Sequence, residues 1–540
     1  MAGGLNAVSM NGALVPSPEG GRKVLLDGLP TELLDSIEVY KTLTPDQDLE
    51  GIGGRIEFKT KKATELEEAF LKFRYDTSYN EFSDTSGNPK YSLTYGDKLT
   101  DDFGVIFGYT YQSKHIISNN NELGYKPWGI AENGNKYLTR DWEMRFYDLT
   151  REREGLTIDM DYEYSPNTSF FFNYLFNEYT DDEVRHKDEY RARDVVESSV
   201  TNTSAAYQRI TADKETKKRI ETRQIKTQIF GGETSFGDLD FRFQASNSFA
   251  EEADDNNVDG KFRSECRIRE GDEICGTYNW SNPKFINITL APAASDLLDP
   301  STYVWDEFEI DYGLIQDEES AVKFDFENEN FEMFEMPMIL QFGYKFSTRT
   351  KSNTEGNLDG SEAMSPFGMI SYSPYTPNNW YFPQELGFFA DPDLLFGAQS
   401  QFRPLDIDLA DFWETEEEIN AFYLMSTFDY GNAVVVAGIR HEDTSFKTYG
   451  FNDGNINDRL DFSRDYGFTA PSINIKYFLD DNTQLRGSFY RSLSRPGFGE
   501  TAPIADISEN EGSLEFRGSM GNPDLEPYEA NNFDVSYEYY

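Results

Sequence analysis

From Ala69 onward, apolar and polar residues take turns along the chain. The stretch "AFLKFRYDTSY" sets Ala69, Leu71, Phe73, Tyr75, Thr77 and Tyr79 on one face and Lys72, Arg74, Asp76 and Ser78 on the other. A period of two held this long predicts a β-strand well beyond the usual ~5–6 residues. The pattern returns in "FGVIFGYTY", with Phe103, Val105, Phe107, Tyr109 and Tyr111 opposite Gly104, Gly108 and Thr110. "GLTIDMDYEY" sets Leu156, Ile158, Met160, Tyr162 and Tyr164 against Thr157, Asp159, Asp161 and Glu163, and "MILQFGYKF" repeats the design at 338–346. About fourteen such segments are countable, starting near residues 66, 89, 102, 149, 168, 222, 238, 320, 333, 417, 433, 465, 483 and 530.

The connections between these segments alternate in length. Tight ones fall near residues 99, 167, 237, 431 and 481; long, acidic and aromatic ones are expected at 113–140, 179–221, 250–319, 351–416, 445–464 and 495–528. Tight turns at one rim and long loops at the other predict an antiparallel β-barrel of the membrane-spanning kind, with tyrosines and phenylalanines near strand ends as aromatic girdles. A soluble sandwich would have shorter strands and more evenly spread loops.

Composition agrees with this reading. Hydrophobic residues make up 38% and mean hydropathy is −0.65, yet aromatics reach 15%. Half-apolar strands give that combination, and a disordered chain does not. No apolar run approaches the ~18 residues of a spanning helix, "AVVVAGI" at 433–439 being the longest near-candidate. The formal charge of −48, from 49 Lys and Arg against 97 Asp and Glu, excludes nucleic acid as a partner, because phosphates would be repelled. The start, "MAGGLNAVSMNGALVPSP", lacks a basic region followed by an apolar one and a cleavage site. The chain is therefore expected either to be cytoplasmic or to begin partway into a longer one, and the strands favour the second.

Little chemistry stands out. No nucleophile, base and acid occur at a recognised spacing, so no enzyme and no cofactor is expected. Cys266 and Cys275 lie nine positions apart, and His115, His186 and His441 are scattered, so a zinc site is not expected. The cysteines read as a local disulfide rather than two free thiols, which implies an oxidising compartment or the cell exterior. "DNNVDG" at 255–260 fits the first positions of a calcium loop, making Asp255, Asn257 and Asp259 a weak metal candidate, though its twelfth position is Cys266 rather than Glu. Polar-face charges such as Lys72, Arg74, Asp159 and Asp161 either line a ligand path or, more commonly, solvate a lumen or bond an internal element. Aromatics around Trp128, around Trp280 and at 378–389 either stack on a ligand or pack loop against loop.

Residues 34–62, "LDSIEVYKTLTPDQDLEGIGGRIEFKTKK", pair two short strands with an acidic turn and a Gly51–Ile52–Gly53–Gly54–Arg55 hinge. This stretch resembles the last part of the plug domain of TonB-dependent outer-membrane receptors. The preceding "MNGALVPSPEGGRKVLLDGLPTELL" looks like the middle of the same plug. Residues 147–186 resemble an early hairpin of a long-loop subgroup, and "YRSLSRPGFGETAP" at 490–503 and "GNPDLEPYEANNFDVSYEYY" at 521–540 resemble late-barrel motifs. The resemblance implies a plug end at 1–63, with Gly51, Gly53, Gly54 and Arg55 as its signature, and a partial barrel at 64–540. It implies import of a scarce nutrient across a bacterial outer membrane, an oligosaccharide or other organic nutrient first and a ferric siderophore second. Outer-membrane lipids, the ligand and the TonB–ExbB–ExbD system would be the partners, the last through an N-terminal segment that this sequence lacks. The family's barrels have about 22 strands. The chain is therefore expected to be a fragment lacking both ends, stopping inside a strand on "VSYEYY".

Overall fold

The computed structural model describes residues 5–24, 34–124, 126–282, 284–333, 336–359, 371–374, 387–398, 407–509 and 516–540. Alternation becomes a wall of antiparallel strands. Of a sixteen-stranded sheet, fourteen strands form one path from Phe70–Asn80 to Tyr528–Tyr539, each hydrogen-bonded to the next in chain order. The other two, Gly276–Asn279 and Asn287–Leu290, form a hairpin on the start of the Ser204–Phe236 strand. No helix among the described residues is long and apolar enough to cross a membrane; strands are the crossing elements here.

One face of the wall carries the apolar half of the alternation. Leu71, Phe73, Tyr75 and Tyr79 are exposed, as are Phe230, Phe324, Phe342, Phe422 and Leu424. Their rings meet across strands: Phe326 and Phe342 lie 5.0 Å apart, and Tyr344 and Phe422 lie 4.7 Å apart. Exposed aromatics in cross-strand rows are what a lipid-facing belt requires.

The tight turns fall where the pattern set them, between Ser165 and Thr168, Phe236 and Leu239, Asp429 and Ala433, and Asp480 and Thr483. The long connections differ from expectation. Much of the described part of 113–140, 179–221, 250–319, 351–416 and 445–464 is strand: Thr168–Val195 and Ser204–Phe236 run 28 and 33 residues, against the ~9–11 that cross a bilayer. The backbone ladder continues beyond the lipid, where neither face needs to be apolar. The period-two signal fades in "DDEVRHKDEYRARDV" although the pairing does not.

Above the belt, the long strands share a second core. Trp142, Tyr207, Tyr278, Phe262 and Phe308 are buried together with both cysteines. Cys266 and Cys275 are joined as a disulfide with their Cα atoms 5.8 Å apart, tying the end of the Leu239–Arg267 strand to the hairpin. The rings of Trp128 and Trp280 stand 5.5 Å apart, edge to face, so these two aromatics pack loop against loop. Of the aromatic run 378–389, residues 378–386 lie outside the described residues, while Phe389 is buried against the His186 ring.

Four strands from the described residues between 6 and 59 form a separate sheet. Asn6–Met10 runs parallel to Gly54–Lys59, and Ala13–Leu14 and Ser36–Tyr40 flank that pair antiparallel. This unit sits against the inner face of the wall. Val8, Met10, Ala13, Val15 and Phe58 pack on Leu175, Ile225, Ile229 and Ala250, and Leu49 packs on Phe468, Ala470 and Leu493. Asp161, on the inner face of its strand, accepts the Ala63 backbone N–H where the chain leaves the unit for the wall.

Candidate functional site

The glycine hinge is built from close approaches. Gly51 and Gly54 adopt φ of +116° and +121°, which side-chain-bearing residues rarely take. A Cβ on Gly51 would lie 2.7 Å from the Gly54 carbonyl oxygen, and one on Gly53 2.5 Å from Asn6 Oδ1. The bare backbone lets the segment dock edge-on to the wall: Gly51 N–H donates to Leu493 O at 3.1 Å, and Leu493 N–H to Leu49 O at 3.0 Å. Arg55 then turns inward, its Nε donating to Ser9 Oγ at 2.9 Å and its Nη1 lying 3.3 Å from Asp48.

Asp48 is the centre of the contact. It accepts from Lys345 Nζ and from Arg440 Nη2, both at 2.9 Å, as well as from Arg55. Arg440 also donates to Glu442, which accepts from Arg495 at 2.9 Å. Arg22 grips Glu417 through both terminal nitrogens, at 3.1 and 2.8 Å, donates from Nε to Pro496 O, and stacks 3.9 Å over the Phe498 ring. In loop 15–23, the Lys351 ammonium donates to the carbonyls of Ser17, Glu19 and Gly21, and Asp317 accepts the Ser17 N–H. Buried pairs of this kind roughly cancel their own desolvation. The attraction therefore comes from the apolar seat, at about 1.5–3 kcal/mol per fully buried side chain. The charges fix register and penalise any other placement.

Burial by itself pushes the Asp48 carboxyl up, but Lys345, Arg55 and Arg440 outweigh it and hold the group well below the usual carboxylate range. For Arg55, burial lowers the guanidinium, and Asp48 and Glu57 reverse that to a net rise. A carboxyl depressed below its unfolded value of about 3.9 stabilises fully above that pH and loses its contribution as pH falls toward the folded value. Pepsin cleavage within 41–62 should therefore accelerate below about pH 4. The gap between the natural chain and Asp48→Asn should close over the same range; a gap that stays constant down to about pH 2 would show that Asp48 is not held this way.

The sequence signature residues thus meet: Gly51, Gly53, Gly54 and Arg55 lie at one seam with Asp48. The calcium candidates are strung along a strand. Asn257 and Asp259 lie inside the Leu239–Arg267 strand, facing Asp311 and Glu309 across the ladder, and the Asp255 side chain lies outside the described residues. An extended strand spreads its side chains along a line, unlike the turn of a calcium loop, and Arg185 donates to Asp259 at 3.1 Å. Sequence reading missed Arg22, Asp48, Glu417, Arg440 and Glu442. Its available signal was charge at alternate positions inside otherwise apolar strands, as in "AGIRHED", but nothing local says which charges pair.

The family profile described as TonB dependent receptor-like, beta-barrel matches residues 268–540. No curated protein matches the sequence. Among solved structures, the closed form of Fiu, the ferric-catecholate import receptor of Escherichia coli K12, aligns over 99% of this chain and 63% of its own, at 12% identity and a TM-score of 0.52. This chain thus spans less than two thirds of that receptor's length. The outer membrane transporter YddB of Escherichia coli aligns over 99% and 83% at 8% identity and a TM-score of 0.25. BauA, the ferric preacinetobactin receptor of Acinetobacter baumannii, aligns over 91% and 78% at 10% identity and a TM-score of 0.25. The fold comparison rests on the first of these alone. An antiparallel wall with an exposed aromatic belt agrees with the profile match, and the chain belongs to the TonB-dependent receptor-like β-barrel family, whose members are outer-membrane receptors.

Proposed function

We propose that residues 1–63 are the end of a plug and 64–540 the barrel wall of an importer that moves a scarce nutrient across a bacterial outer membrane, driven through TonB. An oligosaccharide or other organic nutrient is the favoured cargo, with a ferric chelate second. The observation that supports this reading is the seat of the four-stranded unit: a folded sheet packed on the inner wall through apolar side chains and keyed in register by ion pairs such as Arg22–Glu417 and Asp48–Arg440. A passive pore gains nothing from filling its own lumen. A gated one needs an obstruction fixed in one register yet displaceable by a pull, and charged pairs that regain water once pulled apart allow that more readily than an all-apolar seam. The Fiu likeness, at 12% identity, speaks for fold and not for cargo.

The test is genetic. Deleting the gene in its native host should abolish growth on one limiting nutrient, and loss of TonB should reproduce the defect. Uptake that needs this gene but not TonB would replace the importer with a passive channel.

A further inference from the structure

Toward the long-loop rim, one wall strand leaves the ladder early. Arg459–Asp480 pairs with Ala433–Phe451 from Arg459 to Tyr477, but its other edge meets Thr483–Ser494 from Ser472 to Asp480. Past Ser494 comes Pro496, which has no N–H to give a ladder, and the chain turns from the wall into the lumen. Gly497 N–H donates to the Glu500 carboxylate at 2.9 Å, and Thr501 N–H to Gly497 O at 3.3 Å. The single helical turn that results, Phe498–Thr501, buries Phe498 and, with Ala502 after it, packs on Trp413 of the inner wall.

What this turn meets decides its role. The Phe498 ring is fully buried, its centre 3.9 Å from the Arg22 guanidinium carbon, 4.9 Å from that of Arg349 and 5.7 Å from Lys351 Nζ. These are the cations that seat loop 15–23. Arg22 belongs to the loop, Lys351 gathers its carbonyls, and Arg349 shares Asp317 with Lys351. Each already has a carboxylate, so the ring is not there to balance charge. A phenyl face holds cations most strongly where water is excluded, and here its bulk keeps water from Arg22 and Glu417. Pro496 O accepts the Arg22 Nε–H at 2.8 Å. Arg495 fastens the base of the turn: it donates to Glu442 at 2.9 Å and to the Tyr466 hydroxyl at 3.2 Å, and lies 3.6 Å from Glu50 of the inner unit. A connection from the long-loop rim thus grips the inner unit at two places, loop 15–23 and Glu50.

The other flank of the turn has room. Gly499 and Glu500 line a cavity of about 500 Å3 together with Ile504, Met520 and Asn522. A close-packed interior leaves no such space, so the turn can swing away from Arg22 without first unpacking what lies behind it. Asn522 N–H donates to Glu500 O at 2.7 Å and Gly521 N–H to Ile504 O at 3.1 Å. These bonds couple the turn to residues 520–522, where Met520 is 72% exposed, so a displacement of the outer segment carries the turn with it.

We propose that residues 495–504 form a strap that pins loop 15–23 from the long-loop rim, with Phe498 as the pin, and that the strap must swing into this cavity before Arg22 can leave Glu417. In the importer proposed above, and resting on that reading, the strap is what makes release of the inner unit answer to the outer loops. Trypsin digestion of the detergent-solubilised chain tests it. Phe498→Ala should speed cleavage after Arg22 and Lys23 by about tenfold or more, because proteolysis of a transiently opened loop follows its open population; the fragment above residue 64 should survive. Filling the cavity should do the opposite. The chain has no free cysteine, so in Met520→Cys a bulky maleimide attaches at that position alone, and it should slow the same cleavage by about threefold or more. A merely structural role for the ring would not respond to the label. Unchanged cleavage in Phe498→Ala, loss of the wall along with the loop, or a label without effect would each overturn the proposal. The readings fail separately, since the digest involves no transport. TonB-independent growth would remove import and leave the strap as a contact within a passive channel, whereas a digest unmoved by either change would remove the strap and leave import.

Discussion

Replacing Asp317 by Asn should cost the chain about 3–5 kcal/mol, the penalty for removing one partner from a buried charge cluster. Its carboxylate is fully buried and accepts from Arg349 Nε at 2.8 Å, Arg349 Nη2 at 2.6 Å and Lys351 Nζ at 3.2 Å. An amide keeps the shape but loses the charge, leaving a buried guanidinium and ammonium without the carboxylate that they share. Lys351 is also the side chain that gathers the Ser17, Glu19 and Gly21 carbonyls, so the damage should spread to loop 15–23. The measurement is the guanidinium unfolding midpoint in detergent, together with trypsin cleavage after Arg22 and Lys23. The double variant Asp317→Asn with Lys351→Met removes one stranded cation and should recover part of the loss. An unchanged midpoint in the single variant would mean that water reaches these charges, and that the cluster holds nothing.

What the sequence made legible tracks the range of the physics involved. Alternation is local, so the crossing strands could be read from stretches such as 69–79 and 103–111, and the tight turns from "FGD" and "DYGN". The seam glycines were legible because backbone geometry selects them residue by residue. The extensions beyond the lipid were not: in 181–195 the ladder persists while both faces turn polar, so backbone pairing leaves no mark on composition. The seat of the inner unit was also hidden. Arg22 and Glu417 are 395 residues apart in sequence, and with 97 acidic side chains available no spacing rule selects one of them. The shift between Asp254 and Asn257 was invisible for a related reason. One added residue shifts the register of the ladder without altering any motif, and so a stretch resembling a calcium loop lies within a strand.

Replacing Gly54 by Ala should detach the inner unit while leaving the wall intact. At φ +121° any side chain is strained, at about 1–3 kcal/mol. Here the new Cβ would also lie 2.7 Å from the Tyr40 carbonyl oxygen, on the neighbouring strand that pairs Tyr40 with Arg55. Relief requires Ser36–Tyr40 to move off Gly54–Lys59, which displaces Arg55 from Asp48 and, with it, the bonds to Lys345 and Arg440. The combined loss should exceed about 3 kcal/mol, taking the strain and one uncoupled buried charge together. Gly431 is the control: its φ is +82°, but a Cβ there meets nothing within 4 Å. Gly431→Ala should thus carry only the backbone cost of about 1–2 kcal/mol. Limited trypsinolysis should cut Gly54→Ala after Lys41, Arg55 and Lys59 within minutes, with the fragment above residue 64 surviving, whereas Gly431→Ala should resist like the natural chain. If Gly54→Ala proved equally resistant, the hinge would be a matter of turn flexibility alone. If it lost the wall as well, the inner unit would be part of the barrel's own fold rather than an insert that the barrel can release.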